Sequence, residues 1–284
     1  VDDPHDLAEL ASLHPRPDIR LIATDLDGTL LTDDKDINEE FWPLVDALHA
    51  RGVTVAPASG RQYYTLAEQF APIAHEAVFI AENGTYVVDG RTSQEISSDC
   101  LATAAAHDVV RAVRDVPHAN AVLCGKASAY VEQTEPGFMR EVEPYYRRLR
   151  VVDDLTTIAD DPVLKVAVYD AIWAEHNAGI ALAHLRPALQ VVVSGGHWVD
   201  VMSPTANKGR ALAQVQQSLG ATRDQTMVFG DFLNDLEMMD EAAYAFAMSN
   251  AHPRIRERAS WIAPSNNANG VVRSIRAVLG LDEG

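Results

Sequence analysis

Two periods of hydrophobicity alternate along the chain. Residues 19–24 form a short apolar run, Ile19, Leu21, Ile22 and Ala23 interrupted by Arg20 and Thr24, and read as a buried strand. INEEFWPLVDALHARG follows with helical spacing and a glycine stop at Gly52. VTVAPAS then reads as a strand, RQYYTLAEQF as a helix and AVFIAENG as a third strand. The alternation resumes toward the C-terminal end. NKGRALAQVQQSLG is helical, TMVFGD extended, LNDLEMMDEA helical, YAFAMSN a short strand and GVVRSIRAVLG a closing helix. Strands separated by helix-length segments predict an α/β fold, a doubly wound and mostly parallel sheet with helices on its faces.

The middle of the chain breaks this rhythm. TYVVDG, AVLCGKASAYVEQ, LKVAVYD and LQVVVSGGHWVDVM are strand-like and alternate with helical stretches at LATAAAHDVVRAVRDV and HNAGIALAHLRPAL. A hairpin is expected over Val191–Val201, turning at Ser194-Gly195-Gly196. The pattern predicts an α+β domain inserted into the sheet domain. Residues 1–86 and 203–284 then form the core and 87–202 the insert, with crossings near Asn83-Gly84-Thr85 and Ser203-Pro204.

Composition narrows the partners. The 284 residues are 47% hydrophobic, enough for one large domain or two smaller ones. Acidic residues outnumber basic ones 41 to 23, a formal net charge of -18, so neither nucleic acid nor an anionic membrane is an expected partner. A small anionic substrate remains compatible, because a few Lys and Arg side chains and a metal ion make a site locally positive. Cys100 and Cys124 lack metal-type spacing and read as free, buried thiols of a reducing cytoplasm. The opening VDDPHDLAEL is acidic and without a signal-peptide pattern, and no apolar run reaches membrane-spanning length. The expectation is a cytoplasmic protein, as a monomer or a small homo-oligomer.

Chemistry concentrates just after the predicted strands, where ligands bind in doubly wound sheets. Asp25 and Asp27 follow the first strand, and a strand's period of two makes them lean the same way. Asp-Gly is also a common turn dipeptide, so this pair alone does not distinguish a site from a surface turn. Ser59-Gly60-Arg61 follows VTVAPA and opens a helix whose free N–H groups suit an anion; Ser59 is expected to cap that helix as well. Gly230-Asp231-Phe232-Leu233-Asn234-Asp235 follows TMVF, and Lys208 opens the helix that re-enters the core. Taken singly, Lys208 reads as a solvated side chain, and Asp231 and Asp235 as acids at a helix start. Together, Asp25, Asp27, Asp231 and Asp235 put up to four carboxylates in one crevice, which requires a cation. Oxygen-only donors with no Cys or His cluster select Mg2+. Ser59, Lys208 and Arg61 supply donors and positive charge for a phosphate, whose phosphorus an activated carboxylate can attack to give an aspartyl-phosphate. No histidine falls in a recognisable ligand motif. Trp173, Trp198 and the Tyr145-Tyr146 pair could line a sugar-binding face, although packing is the commoner role of such residues.

DLDGTLL, ASGR, the lysine of SPTANKG and GDFLND, in this order, resemble the four motifs of the haloacid dehalogenase superfamily of phosphohydrolases. The insert between the second and third resembles a type IIB cap, and AENGTYVVDG and NNANGVV resemble the Cof-type sugar phosphatase branch. The likeness runs from Ile19 to about Leu281. It implies a Rossmann-like core with an α+β cap and a phosphatase of small phosphorylated metabolites, with sugar phosphates the leading class. By the same resemblance Asp25 matches the nucleophile and Asp27 the general acid/base. Asp25, the backbone carbonyl of Asp27 and Asp231 match the Mg2+ ligands, with Asp235 a further ligand or a group behind them. Ser59, where threonine is commoner, matches a phosphate holder together with Lys208, and Asn234 often assists. In such a pair Asp25 must be ionised while Asp27 holds a proton, and Gly28 lets the backbone turn away and leaves room for the phosphoryl group. A phosphomutase of the phosphomannomutase type is the nearest alternative. A non-catalytic phosphometabolite sensor is disfavoured by the intact aspartate pair.

Overall fold

The first apolar run becomes strand β1 (Leu21–Thr24) in the computed structural model, which describes residues 4–281. Its four residues are all buried, and Leu21, Ile22 and Ala23 enter one apolar core although they point alternately to opposite faces. A helix, α1 (Pro4–Ala11), precedes it; α2 (Phe41–His49) leads to β2 (Thr54–Pro57) and α3 (Tyr63–Gln69) to β3 (Val78–Ala81). The stripe Phe41, Leu44, Val45 and Leu48 on α2 has the i, i+3, i+4, i+7 spacing of a buried helix face. Burying each such side chain is worth roughly 1.5–3 kcal/mol. Strands β4 (Tyr86–Asp89) and β5 (Gln94–Ser98) follow.

The second unit contains α4 (Thr103–Arg114), β6 (Ala119–Gly125), β7 (Ala129–Val131), α5 (Pro136–Val142), β8 (Leu149–Val151), β9 (Val163–Asp170), α6 (Ala178–Ala181), β10 (Gln190–Gly195) and β11 (Trp198–Met202). Its six strands lie in the order β10-β11-β9-β6-β7-β8, antiparallel except for the β7–β8 pair. One face carries Leu123, Val166, Val168, Val199 and Val201 against α4, and the other carries Val122, Cys124 and Ala167 against α5. This is the cap. The chain then returns through α7 (Lys208–Leu219), β12 (Thr226–Gly230), α8 (Leu236–Asp240), β13 (Tyr244–Met248), α9 (Pro253–Arg258), β14 (Trp261–Ala263) and α10 (Gly270–Leu279).

The core sheet is parallel, in the order β14-β13-β12-β1-β2. The strand order reverses at β1, with β2 on one side and β12 on the other, so the crevice beyond their carboxyl ends is where a ligand fits.

Four expectations are corrected. AVFIAENG does not extend the parallel sheet: β3 touches it by a single Ala58–Ile80 bridge and instead pairs antiparallel with β4. TYVVDG therefore belongs with the core and not with the insert, since β3, β4 and β5 form one three-stranded sheet and Val87 enters the core cluster. The first crossing thus lies beyond Ser98, not at residue 86. Strand alternation reads identically in either sheet, and the Glu82–Gly84 turn, positive in φ at all three residues, folds β4 straight back onto β3. A Cβ at Gly84 would stand 2.5 Å from the Asn207 carbonyl oxygen, so the turn is packed directly on the start of α7. The hairpin of β10 and β11 reverses at Gly196-His197, with an irregular register at Val193–Gly195, one step beyond the expected turn. Cys124 is buried but Cys100 is exposed, on the segment between β5 and α4; both are free. Among the described residues no helix is long and apolar enough to cross a membrane.

Candidate active site

The chain leaves β1 by extending its ladder one residue, with Asp25 N–H donating to the Phe229 carbonyl at 3.0 Å. Leu26 is buried in the core, so Asp25 and Asp27 flank it on the crevice side. Gly28 has φ +77°, and a Cβ there would collide with the Asp231 carboxylate. Glycine therefore serves both the turn and the close approach of the two loops.

Asp25, Asp231 and Asp235 converge, with one carboxylate oxygen of each within 4.8 Å of the others. Lys208, fully buried at the first residue of α7, donates to Asp25 Oδ1 at 2.5 Å and to Asp235 Oδ1 at 2.7 Å. Asp235 Oδ2 accepts from the backbone N–H of Asp231 at 3.0 Å and of Phe232 at 3.2 Å, and Thr29 Oγ1 donates to Asp231 at 2.9 Å. Burial pushes Asp25 up to about 7, against the pull of Lys208 and with the help of Asp235. Burial, Asp25 and Asp235 together push Asp231 well above the usual carboxylate range. For Lys208 burial works downward, but Asp235 and Asp25 outweigh it and raise the ammonium's pKa. One ammonium does not balance three acids. The oxygen-only donors and their surplus charge fit a hard divalent cation such as Mg2+.

Asp27 is held differently. Its carboxylate is outside that trio and is paired with the Arg61 guanidinium through both oxygens, and with Lys35 Nζ at 2.8 Å. Burial pushes its pKa upward, but Arg61 and then Lys35 prevail and hold it below the ordinary value, so here Asp27 is the ionised carboxylate and Asp25 the one of raised proton affinity, the reverse of the expected assignment. Arg61 lies 5.0 Å beneath the Tyr145 ring of the cap.

Ser59 is buried beyond the end of β2, and its Oγ accepts from Arg61 N–H at 3.3 Å. The expected helix cap is not made. α3 begins only at Tyr63, with Gln62 before it, because residues 59–61 form an irregular turn whose Ser59 N–H bonds to Ile80 and leaves the hydroxyl in the crevice. Likewise the helix read over LNDLEMMDEA starts with a tight turn at Leu233–Asp235 before α8. Asn234 Nδ2 donates to Asn83 Oδ1 at 2.9 Å.

Asp25, Asp27, Ser59, Gly60 and Asn234 all face one cavity of about 380 Å3, while Lys208 and Asp231 adjoin it through Asp25. That volume suits a small metabolite. The cap contributes Glu141, Tyr145, Tyr146, His197 and Trp198 to the wall. Tyr145, Tyr146 and Trp198 thus reach the cavity, whereas Trp173 is half-exposed and packs behind His197 without lining the wall itself. Sequence reasoning missed Lys35, Glu141 and His197, and took Asn83 only as a boundary. Lys35 had a signal, as the single cation of the acidic TDDKD loop after the aspartate pair, but Glu141 and His197 had none. A buried carboxylate beside a cation site, with a second carboxylate facing the same cavity, has the parts for attack on a phosphoryl group and proton delivery to its leaving oxygen.

A family model described as haloacid dehalogenase-like hydrolase matches residues 22–275. The chain is 36% identical over 267 residues to a 5-amino-6-(5-phospho-D-ribitylamino)uracil phosphatase of Escherichia coli (strain K12), covering 92% of this chain and 96% of that one. It is 30% identical over 244 residues to an HMP-PP phosphatase of Cronobacter sakazakii (strain ATCC BAA-894), covering 83% and 86%. A solved Streptococcus mutans UA159 structure is similar at TM-score 0.84 and 25% identity, covering 92% of this chain and 99% of that one. A structure described as a HAD subclass IIB sugar phosphatase shares the fold at TM-score 0.79 and 17% identity, covering 90% and 98%.

Proposed function

Because this chain belongs to the haloacid dehalogenase-like hydrolase family and is a phosphoric monoester hydrolase, we propose that it cleaves small sugar or sugar-alcohol phosphates with Mg2+, by way of an aspartyl-phosphate on Asp25. The carrying observation is the buried trio Asp25, Asp231 and Asp235 with Lys208, at the end of β1 and open to a metabolite-sized cavity that Asp27 also faces. The E. coli relative is named for a ribityl phosphate, a phosphorylated polyol chain, which supports the substrate class.

Asp25, Asp231 and Asp235, with the Asp27 backbone carbonyl, would hold the cation, which when bound neutralises charge on the carboxylates and on the phosphoryl oxygens. An Asp25 carboxylate oxygen attacks phosphorus, the P–O bond to the leaving group breaks, and the leaving oxygen takes a proton from Asp27, which is ionised while paired with Arg61 and gains that proton from solvent once the guanidinium turns to the phosphate. Asp27 then removes a proton from water, whose oxygen attacks the same phosphorus and releases inorganic phosphate and Asp25. Ser59, Gly60, Lys208, Arg61 and Asn234 hold the phosphoryl oxygens. The Arg61–Asp27 pair has a role in this sequence. An incoming phosphate competes with Asp27 for the guanidinium, and loss of that cation raises the proton affinity of Asp27 just when the leaving group needs a proton.

Phosphate release over a panel of sugar phosphates, sugar-alcohol phosphates, nucleotides and flavin mononucleotide tests the reading. Turnover of a sugar or polyol phosphate in Mg2+, with no bisphosphate activator, is the expected result. A strict need for a bisphosphate, with phosphate moved and not released, would instead indicate a mutase. Asp27→Asn is expected to slow alkyl phosphates roughly 10²- to 10⁴-fold and p-nitrophenyl phosphate much less, since nitrophenolate leaves without a proton. Equal losses on both substrates would remove Asp27 from proton transfer.

A further inference from the structure

Lys165 is buried in β9 of the cap, yet its ammonium ends among core groups. The register pairs Ala167 with Asp200, so Lys165 and Asp200 are diagonal neighbours on the face of the cap sheet that carries Cys124. Lys165 Nζ donates to the Gly60 carbonyl at 2.9 Å, and forms ion pairs with Asp200 at 2.8 Å and Glu82 at 3.1 Å. An ammonium has three protons, and here three acceptors surround it: one from the cap and two from the core. Lys165, Asp200, Asn83 and Gly60 all reach the cavity wall, although nothing in the proposed chemistry uses the two cap residues.

Two lines of contact run from this point to the phosphate pocket. Through the first, Lys165 fixes the direction of the Gly60 carbonyl. In a trans peptide the following N–H points the opposite way, and that N–H, of Arg61, is the donor to Ser59 Oγ. Through the second, Asp200 Oδ2 accepts from Asn83 Nδ2 at 2.5 Å, which turns Asn83 Oδ1 toward Asn234 Nδ2. Glu82 and Asn83 both sit at positive φ, a conformation that costs energy in residues other than glycine and persists only where surroundings enforce it. Glu82 is fully buried, and Lys165 is the cation that offsets its charge.

We propose that Lys165 is a positioning residue for phosphoryl transfer: from the cap it orients the Gly60–Arg61 peptide and, with Asp200, the Asn83–Asn234 amides, so that the phosphate pocket is complete only with the cap docked. This rests on the phosphatase reading above. The cap then acts on the phosphate end of every substrate, and not only on the part that differs between substrates.

Lys165→Met tests this directly, but it leaves Glu82 and Asp200 buried without a cation and can unfold the chain. The companion is therefore the neutral triple variant Glu82→Gln/Lys165→Met/Asp200→Asn, which keeps an acceptor for Asn83 and removes only the donor to Gly60. The triple variant is expected to melt near the wild-type temperature and to lose about 100-fold in kcat, by the same factor on p-nitrophenyl phosphate and on the best sugar phosphate. Its affinity for inorganic phosphate, measured by calorimetry in Mg2+ without turnover, is expected to fall about tenfold. Wild-type kcat and phosphate affinity in the triple variant would reduce the Lys165 cluster to packing. A loss confined to the sugar phosphate would make Lys165 a leaving-group contact, and failure of both variants to fold while Lys165→Arg retains full kcat would likewise overturn the assignment. If the wild-type chain releases phosphate from no monoester, it is the phosphatase reading that fails, and the calorimetric comparison still judges the pocket.

Discussion

Asp25→Asn is expected to lower turnover roughly 10⁴-fold or more while the chain stays folded. The amide has nearly the shape of the carboxylate, and its Oδ1 can still accept from Lys208, which keeps Asp235 as its ionic partner. What disappears is the attacking oxygen's charge. Burial already opposes that charge, pushing Asp25 to about 7, so the neutral side chain does not add a desolvation cost. Phosphate release and a thermal melt on the same preparation separate the two effects. The expected pair is no turnover and an unshifted or raised melting temperature. In the wild type, rapid acid quench with a fast substrate should leave one phosphate on the peptide carrying Asp25, and the variant should carry none. Appreciable turnover by a well-folded Asp25→Asn protein would give the attack to another group.

The charges of this site were readable before the fold because each follows an apolar run. β1 had to end where Ile22-Ala23 gave way to Thr24-Asp25, and β12 where Phe229 met Gly230-Asp231. In a parallel sheet whose order reverses at β1, those ends share a crevice. Lys208 was readable as a helix start, but its complete burial between Asp25 and Asp235 was not, since a lone lysine is ordinarily solvated. What sequence could not supply was long-range partnership. Val87 and Val88 alternate in β4 whichever sheet they join, and only the tight Glu82–Gly84 turn assigns them to the core. Lys165 sits in VLKVAVYD as the one cation among mostly apolar residues, and what explains it, Gly60 more than a hundred positions away, leaves no mark on local pattern. The same holds for Glu141 and His197, which the cap's topology brings over the cavity from separate elements. Local periodicity therefore placed the charges of the candidate site on the core, and tertiary pairing placed the residues that enclose it.

Removing divalent metal should abolish activity, lowering it by at least about 100-fold, and Mg2+ should restore it after EDTA is dialysed away. The reason lies in charge balance. Asp25, Asp231 and Asp235 are within reach of one ion, Lys208 supplies one positive charge, and the carboxylates of Asp25 and Asp231 are both driven upward by burial and by neighbouring acids, Asp235 among them in each case. Ca2+ should inhibit in competition with Mg2+, because its larger and more adaptable oxygen shell disturbs the placement of Asp25 for in-line attack. A readout independent of turnover is available in the thermal melt. Mg2+ binding to the folded state alone raises the melting temperature with concentration. Asp231→Asn should flatten that response, while raising the melting temperature of the metal-free protein, since it deletes one of three crowded acids and keeps an acceptor for Thr29. The variant therefore moves the two baselines in opposite directions, which general destabilisation cannot do. Full activity after rigorous chelation, or an Asp231→Asn protein that responds to Mg2+ as the wild type does, would take Asp231 out of the metal site and leave the trio as buried acids balanced by Lys208 alone.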